Sequence, residues 1–188
     1  MSDVDWVFGY GSLLWRPGFE PDESRRASVS GRARRFWQAS HDHRGTAQAP
    51  GRVVTLVPVA GEHCEGLVHR LPREGRAEVL AMLDHRERDG YRRLVVSAST
   101  SDGPGAGEVV GALTWVADPL HPSWVGADGD DSLVATLASA VGDSGRNRDY
   151  LFDLDRTLTA LGIVDHHVAA LARAVRSHVP AAAPPPIS

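Results

Sequence analysis

The chain has 188 residues, of which 42% are hydrophobic and 23% are charged, with a formal net charge of −4 at pH 7. This length suits a single domain with a sizeable core, and the negative charge argues against nucleic acid as the main partner. The single cysteine, Cys64, excludes an internal disulfide, and because no long apolar run or signal peptide is visible, we expect a cytoplasmic protein with no membrane partner.

Strand-like segments dominate the first two thirds of the chain. They are rich in β-branched and aromatic residues and are bounded by Gly, Pro or Ser. The predicted strands cover residues 6–10, 29–38, 52–58, 64–70, 91–98 and 108–117. Residues 13–15, Leu-Leu-Trp, suit a further short strand.

Helical patterns follow in the second half, after one helix placed between two strands. The predicted helices cover residues 73–88, 130–141, 147–161 and 165–178. This order predicts one α+β domain over residues 1–179, with a mixed or antiparallel sheet that curls into a barrel. The Pro- and Ala-rich residues 180–188 lack core-forming side chains, so we predict a disordered tail.

The segment "VFGYGSLLW" (7–15) carries two glycines within an otherwise strand-like run. Glycine weakens a strand, so Gly9 and Gly11 indicate that another group comes close to this backbone. No third glycine follows at the spacing of a dinucleotide-binding fingerprint. Exposed backbone N–H groups at such glycines can form a concave anion-binding site.

Glu87 is a candidate catalytic residue near the end of the helix predicted at 73–88. It lies four residues after Leu83, on the same helical face as the apolar side chains. Partial burial of a carboxylate there raises its pKa, which a general base or acid near neutral pH requires. An ion pair with Arg86 or Arg92 is the structural alternative, and periodicity alone does not decide between them.

The segment "RRFWQASHDHRGT" (34–46) places His41, Asp42 and His43 together. Histidines one residue apart on a strand share a face, and neutral imidazole is a common metal ligand. Because no third ligand stands at a recognisable spacing, a loop held by hydrogen bonds of Asp42 and Arg44 is the simpler interpretation.

Six motifs, taken together, identify a family resemblance. The motifs are "WVFGYGSLLWRP", "RRFWQASHDHRGT", "PGRVVTLVP", "GLVHRLP", "LDHRERDGY" and "GDSGRNRDYLF". In this order and spacing they resemble the ChaC-like γ-glutamylcyclotransferases over roughly residues 6–175. The resemblance implies a small mixed β-barrel flanked by helices, and cleavage of the small-molecule substrate glutathione to 5-oxoproline and Cys-Gly. Such a reaction needs neither a metal nor a cofactor.

The resemblance also implies roles for particular residues. The family's catalytic glutamate falls on Glu87, the residue that the helical periodicity indicates independently. The implied substrate-binding residues are Tyr10, Gly11, Ser12 and Leu13 of the "YGSL" loop, which binds through its backbone, together with Arg52 and Tyr150. Side chains at positions 9 and 11 are expected to obstruct that approach.

Several positions depart from the family pattern. Asp89 stands where glycine is common, Trp124 where tyrosine is frequent, and Asp143 where proline is usual. None of these changes removes a presumed catalytic group. Asp89 nevertheless places a negative charge close to Glu87 in the sequence, which affects the expected pKa and substrate preference.

Three other functions stay open at this point. A cyclotransferase could act on another γ-glutamyl peptide or amine. A metal-dependent hydrolase could use His41, Asp42 and His43. A non-catalytic module on the same fold could bind γ-glutamyl compounds without cleaving them, although an intact Glu87 argues against this.

Overall fold

The structure is a computed structural model that describes residues 4–178. Its central feature is a closed barrel of five strands. One helix connects two of the strands, and three more helices follow the last strand of the barrel. The strands are β1 (Trp6–Gly9), β2 (Glu23–Ser40), β3 (Gly51–Arg70), β4 (Tyr91–Thr100) and β5 (Val109–Ala117). The helices are α1 (Arg76–Arg86), α2 (Asp130–Ser139), α3 (Asn147–Ala160) and α4 (His166–His178).

The barrel is mixed, as the family resemblance implies. Its strand order is β1-β3-β2-β4-β5, and it closes where β5 pairs in parallel with β1. The other neighbouring strands pair antiparallel. Closure pairs the strand edges, so the predicted α+β class with a curled sheet is confirmed.

The β2–β3 hairpin is longer than the sequence predicted. The segments 52–58 and 64–70 belong to one strand, and β2 starts six residues before the predicted 29. Residues 59–62 have no partners in β2, because Ser30 pairs with His63 while Arg32 pairs with Pro58. This irregularity produced the apparent break between two strands. It bends the hairpin, as an irregular insertion in a ladder does.

A second bulge lies at the other end of the same hairpin. Arg35 pairs with Thr55 and Gln38 with Val53, so two residues of β2 oppose Val54 alone. Bulges of this kind redirect side chains and are common beside active sites. Here the bulge places Val54 in the wall of the cavity described below.

The predicted strand at 13–15 is wrong. Residues Ser12–Leu14 form a single 3₁₀ turn, in which the N–H of Leu14 donates to the carbonyl of Gly11 at 2.9 Å. Leu13 and Leu14 are buried by tertiary packing, which explains why they looked strand-like. Propensity in so short a segment yields to packing.

The helices cover the barrel with their apolar faces. Buried leucines of α2, α3 and α4 (Leu137, Leu154 and Leu171) share one core with the barrel residue Phe8. Before α3, Val141–Gly142 (β6) and Gly145–Arg146 (β7) form a short two-stranded ribbon. Within the described residues no helix has the length and apolar character needed to cross a bilayer. The tail predicted at 180–188 lies outside the described residues.

Helix α1 packs separately, against the end of the barrel that carries the site. Its buried Leu83 contacts a second apolar cluster that includes Val7, Leu13 and Trp115. The helix ends at Arg86, and the N–H of Glu87 still donates to the carbonyl of Leu83 at 3.0 Å. Leu83 therefore fixes the position at which the chain presents Glu87.

Candidate active site

A cavity of about 310 Å³ opens at one end of the barrel. The C-terminal ends of β1, β2 and β5 meet there with the N-terminal ends of β3 and β4, and α1 and α3 complete the wall. The lining residues are 10–13, 15–16, 39–40, 42–44, 53–54, 86–87, 89, 91, 114–115, 144 and 150. This size is at the lower end of the range for small-molecule sites.

The loop after β1 lies in this wall in a fixed conformation. The hydroxyl of Tyr10 donates to the carbonyl of Trp115 at 2.6 Å, and Nε of Arg34 donates to the carbonyl of Tyr10 at 2.6 Å. The Tyr10–Gly11 peptide is trans, so this carbonyl and the next N–H point in opposite directions. In the described part of the chain, the N–H groups of Gly11, Ser12 and Leu13 donate to no protein acceptor, which leaves them available to a ligand.

The two glycines of the loop lie against protein atoms, so a side chain at either position collides with the protein itself. A Cβ atom on Gly11 would lie 2.9 Å from Val54 Cγ2 and 3.1 Å from the hydroxyl of Tyr150. A Cβ atom on Gly9 would lie 2.9 Å from Cβ of Leu13. Glycine is therefore needed so that the loop can pack tightly against its own cavity wall.

Glu87 reaches the cavity from the end of α1, as the helical periodicity predicts. Its side chain is 19% exposed, and its Oε1 lies 3.5 Å from Nε of Arg86. Burial raises the pKa of Glu87, and the nearby charges of Arg86 and His43 lower it by less. The ion pair proposed as the structural alternative is present, yet it does not cancel the effect of burial.

Arg86 joins this carboxylate to the loop. Its Nη2 donates to Oγ of Ser12 at 2.7 Å, and its Nη1 donates to the carbonyl of Arg16 at 2.7 Å. The guanidinium of Arg86 therefore connects the end of α1 to the 3₁₀ turn. Its fixed position limits where the Glu87 carboxylate can lie.

Two buried tyrosines, Tyr10 and Tyr150, and the half-buried Tyr91 lie around Glu87. Burial raises the pKa values of Tyr10, Tyr91 and Tyr150, and the charge of Glu87 raises each further. All three hydroxyls are therefore protonated at neutral pH. The ring of Tyr150 also packs against Trp15, with centroids 5.6 Å apart. These neutral rings provide the low-polarity surroundings that keep the Glu87 carboxylate basic.

Comparison with known proteins assigns the chain to a family. The model of the family described as ChaC-like protein matches residues 5–178. The chain belongs to the ChaC-like family.

Relatives of known name match this ChaC-like chain over most of its length. It is 38% identical to gamma-glutamylcyclotransferase 2-3 of Arabidopsis thaliana, over 91% of this chain and 88% of that protein. It is 35% identical to the human glutathione-specific gamma-glutamylcyclotransferase 1, over 95% of this chain and 82% of that protein. A crystal structure of a yeast gamma-glutamyl cyclotransferase specific to glutathione superposes with a TM-score of 0.86 at 28% identity, covering 92% of this chain and 96% of that one.

Most of the residues expected to bind substrate in this ChaC-like chain line the cavity, but Arg52 does not. Tyr10, Gly11, Ser12, Leu13 and Tyr150 are all in the wall together with Glu87. The backbone of Arg52 is instead bracketed by the Asn147 side chain, which accepts from its N–H at 2.7 Å and donates to its carbonyl at 2.7 Å. Its Nη2 lies 3.4 Å from Oδ2 of Asp128. This position supports a role in joining β3 to α3 and not a contact with substrate.

The two histidines considered as metal ligands contact different partners. Nδ1 of His41 lies 3.4 Å from Oδ2 of Asp89, whereas Nδ1 of His43 lies 3.0 Å from Oγ of Ser144. Across residues 4–178, no group of three or more His, Cys, Asp or Glu side chains is arranged to hold a metal ion. Asp42 and His43 line the cavity as polar wall residues.

The carboxylate of Asp89, which also lines the cavity, is bound by neighbours other than Glu87. Its Oδ1 accepts from Oγ of Ser123 at 3.0 Å, and its Oδ2 faces His41. The following Gly90 has a positive φ of 79° and packs against His121 and Gln38. The carboxylate therefore stabilises the turn after α1 while its neighbour Glu87 enters the cavity.

Sequence reasoning assigned no functional role to Arg44. Its Cζ lies 5.4 Å from the centroid of the Tyr150 ring, and its Nη1 donates to the carbonyl of Ser144 at 2.9 Å. The residue stands inside the "HDHRGT" part of a quoted motif, which was the available signal. Its neighbours come from distant segments, so local pattern does not indicate the contact.

Proposed function

We propose that this protein is a γ-glutamylcyclotransferase that cleaves glutathione to 5-oxoproline and Cys-Gly. The observation that carries the proposal is one cavity in which a carboxylate of raised pKa faces a loop with free backbone N–H groups. The glutathione-specific names of the human relative and the yeast structure support this choice of substrate.

Glu87 acts as general base and then as general acid. It takes a proton from the α-ammonium of the γ-glutamyl group, and the free amine attacks the γ-carbonyl carbon. The new C–N bond closes a five-membered lactam, and the C–N bond to cysteine breaks. The proton on Glu87 passes to the departing nitrogen of Cys-Gly, and the restored carboxylate then carries the second proton of the lactam nitrogen to the same amine, which leaves as an ammonium. A base of raised pKa suits both transfers near neutral pH.

The loop at residues 10–13 orients the γ-glutamyl group. The free N–H groups of Gly11, Ser12 and Leu13 bind its carboxylate or the oxyanion that develops on the γ-carbonyl oxygen. Holding the amine over the carbonyl removes the entropy cost of folding a flexible chain. Alignment of this kind is worth about 7–11 kcal/mol in favourable cases. These roles use only groups of the protein.

Mass spectrometry of the products tests the proposal. Purified protein with glutathione is expected to release 5-oxoproline and Cys-Gly in equal amounts, and a panel of γ-glutamyl peptides and amines defines the leaving group. N-acetylated glutathione has no nucleophilic amine and is expected to remain intact. Release of Cys-Gly from the acetylated compound would instead indicate attack by water. Loss of activity on chelation would favour the metal-dependent hydrolase.

A further inference from the structure

The carboxylates that line the cavity are already matched by basic groups. Each of the three has a basic nitrogen within 4 Å of one of its oxygens. The pairs are Glu87 with Arg86 at 3.5 Å, Asp89 with His41 at 3.4 Å, and Asp42 with His43 at 3.8 Å. Of these three nitrogens only that of Arg86 carries a fixed positive charge, because a histidine is charged only when it is protonated.

Two guanidinium groups of the same wall have no such partner. Within residues 4–178, no carboxylate oxygen lies within 4.0 Å of Arg44 or Arg16. Arg44 is partly buried and donates only to carbonyls, those of Ser144 at 2.9 Å and Arg146 at 3.4 Å. Burial is the main cause that lowers the pKa of Arg44; Tyr150 and Asp153 act against it, and the charge of Arg16 adds a smaller lowering. Two like charges beside a cavity, without a close counter-ion, form a site that favours an anion.

We propose that Arg44 binds the C-terminal carboxylate of the peptide substrate. This inference rests on the proposed function, since glutathione carries two carboxylates and one ammonium group. The glutamyl carboxylate shares a carbon with the reacting amine, so it must lie near Glu87 and the loop. The glycine carboxylate lies at the far end of Cys-Gly. In an extended chain it is about 7 Å from the bond that is cleaved.

Tyr150 contacts both the loop, where the glutamyl end is proposed to bind, and Arg44, where the glycine end is proposed to bind. Its hydroxyl lies beside Gly11 of the loop, whereas its ring face lies under the guanidinium of Arg44. Arg44 and Gly11 therefore contact different parts of the Tyr150 side chain, and Arg44 is displaced from the loop along the cavity wall. The planar guanidinium, held by carbonyls and an aromatic face, keeps N–H groups that suit a carboxylate. The site thus selects leaving groups that end in a carboxylate.

The test compares glutathione with its glycine amide, which lacks only the terminal charge. kcat/KM is measured on both compounds for the wild-type protein, R44Q, R44K and a control, R173Q, at an exposed position of α4 that does not line the cavity. We expect the wild type and R173Q to prefer glutathione by roughly tenfold or more. R44Q is expected to lose that preference, because its kcat/KM falls by roughly tenfold more on glutathione than on the amide. R44K keeps the charge and is expected to retain part of the preference.

The outcomes separate this inference from the proposed function. Equal turnover of both compounds by the wild type would overturn the carboxylate site and leave the cyclotransferase standing, even if R44Q failed to fold. An equal loss on both compounds in R44Q, or full preference in that variant, would also overturn it. Absence of 5-oxoproline from both compounds with the wild type would refute the proposed function itself.

Discussion

Two arginines in neighbouring regions of the molecule have contrasting surroundings. Arg34 lies sealed inside the barrel with 2% of its surface exposed, and it is bonded to the carbonyls of Tyr10 and Glu65, each at 2.6 Å, and to the carboxylate of Asp165. Arg44 lies in the open cavity, bonded to carbonyls alone. The sealed guanidinium is fully matched, and the open one is not.

The contrast distinguishes a charged residue that stabilises the fold from one that lines the cavity. A charge excluded from water is tolerated when a carboxylate and further acceptors surround it. Arg34 meets that condition, and by holding the Tyr10 carbonyl it sets the direction of the next N–H. A charge in a cavity is solvated until a ligand replaces the water. The sealed region therefore maintains the loop, and the open region is the one in which we propose that substrate binds.

The largest expected effect is the loss of activity in E87Q, which tests whether the open region carries the chemistry. An amide cannot accept the ammonium proton, so we expect kcat to fall by about 10²–10⁴-fold, or about 2.7–5.5 kcal/mol. Substrate affinity measured by calorimetry is expected to stay within a few-fold of wild type. E78Q, on the exposed side of the same helix, serves as the control. A folded E87Q protein with near-normal kcat would make Glu87 a structural ion-pair partner only.

R34M tests the sealed region. Removing the guanidinium leaves Asp165 without its ion pair, and we expect the free energy of unfolding to fall by about 3–5 kcal/mol in denaturant titrations. R35M is the matched control, because the adjacent side chain pairs with the half-exposed Glu62 at 3.2 Å. That change is expected to cost less than about 1 kcal/mol. Similar losses in the two variants would remove the distinction between sealed and exposed arginines.

G11A tests the loop that lies between the sealed region and the open cavity. The new methyl group collides with the stiff Val54 side chain and the Tyr150 hydroxyl, and overpacking of this kind costs about 1–3 kcal/mol. We expect a lower melting temperature together with a higher KM. G129A is the control, since Gly129 has a φ of −62° and open space around its Cβ position. A tolerated G11A with unchanged KM would show that the loop moves freely.

The smallest expected effect is a pH dependence caused by Glu87. Because burial raises its pKa in the folded state, its ionised form is disfavoured there, and the resulting loss of stability is present above the folded pKa. E87Q is therefore expected to gain melting temperature relative to wild type as pH rises, with no gain below about pH 4.3. Arg86 keeps its bonds to Ser12 and Arg16 in the variant. The acid limb of kcat/KM for the wild type is likewise expected above that pH. A difference in stability independent of pH would contradict the role of burial.

Local patterns in the sequence were sufficient to predict several features of the structure. Helical periodicity placed Glu87 on the inward face of α1, because side chains four residues apart share a face whatever the tertiary fold. Alternation along a strand separated Arg34 from Arg35 for the same kind of reason. The ordered motifs identified the family, and with it the barrel and the loop at residues 10–13.

Other features depended on the closed barrel. Residues 59–62 have no partner in β2, and in the sequence they looked like a break between two strands. Which residues pair is decided only when β2 lies beside β3. Arg52 matched a family motif, yet Asn147 and Asp128 of other segments direct it away from the cavity. Arg44 meets Tyr150 only because β2 ends and α3 begins at the same edge of the barrel. Periodicity reports which face of an element is apolar, whereas the partner of a polar side chain is decided by which distant segments the fold brings together.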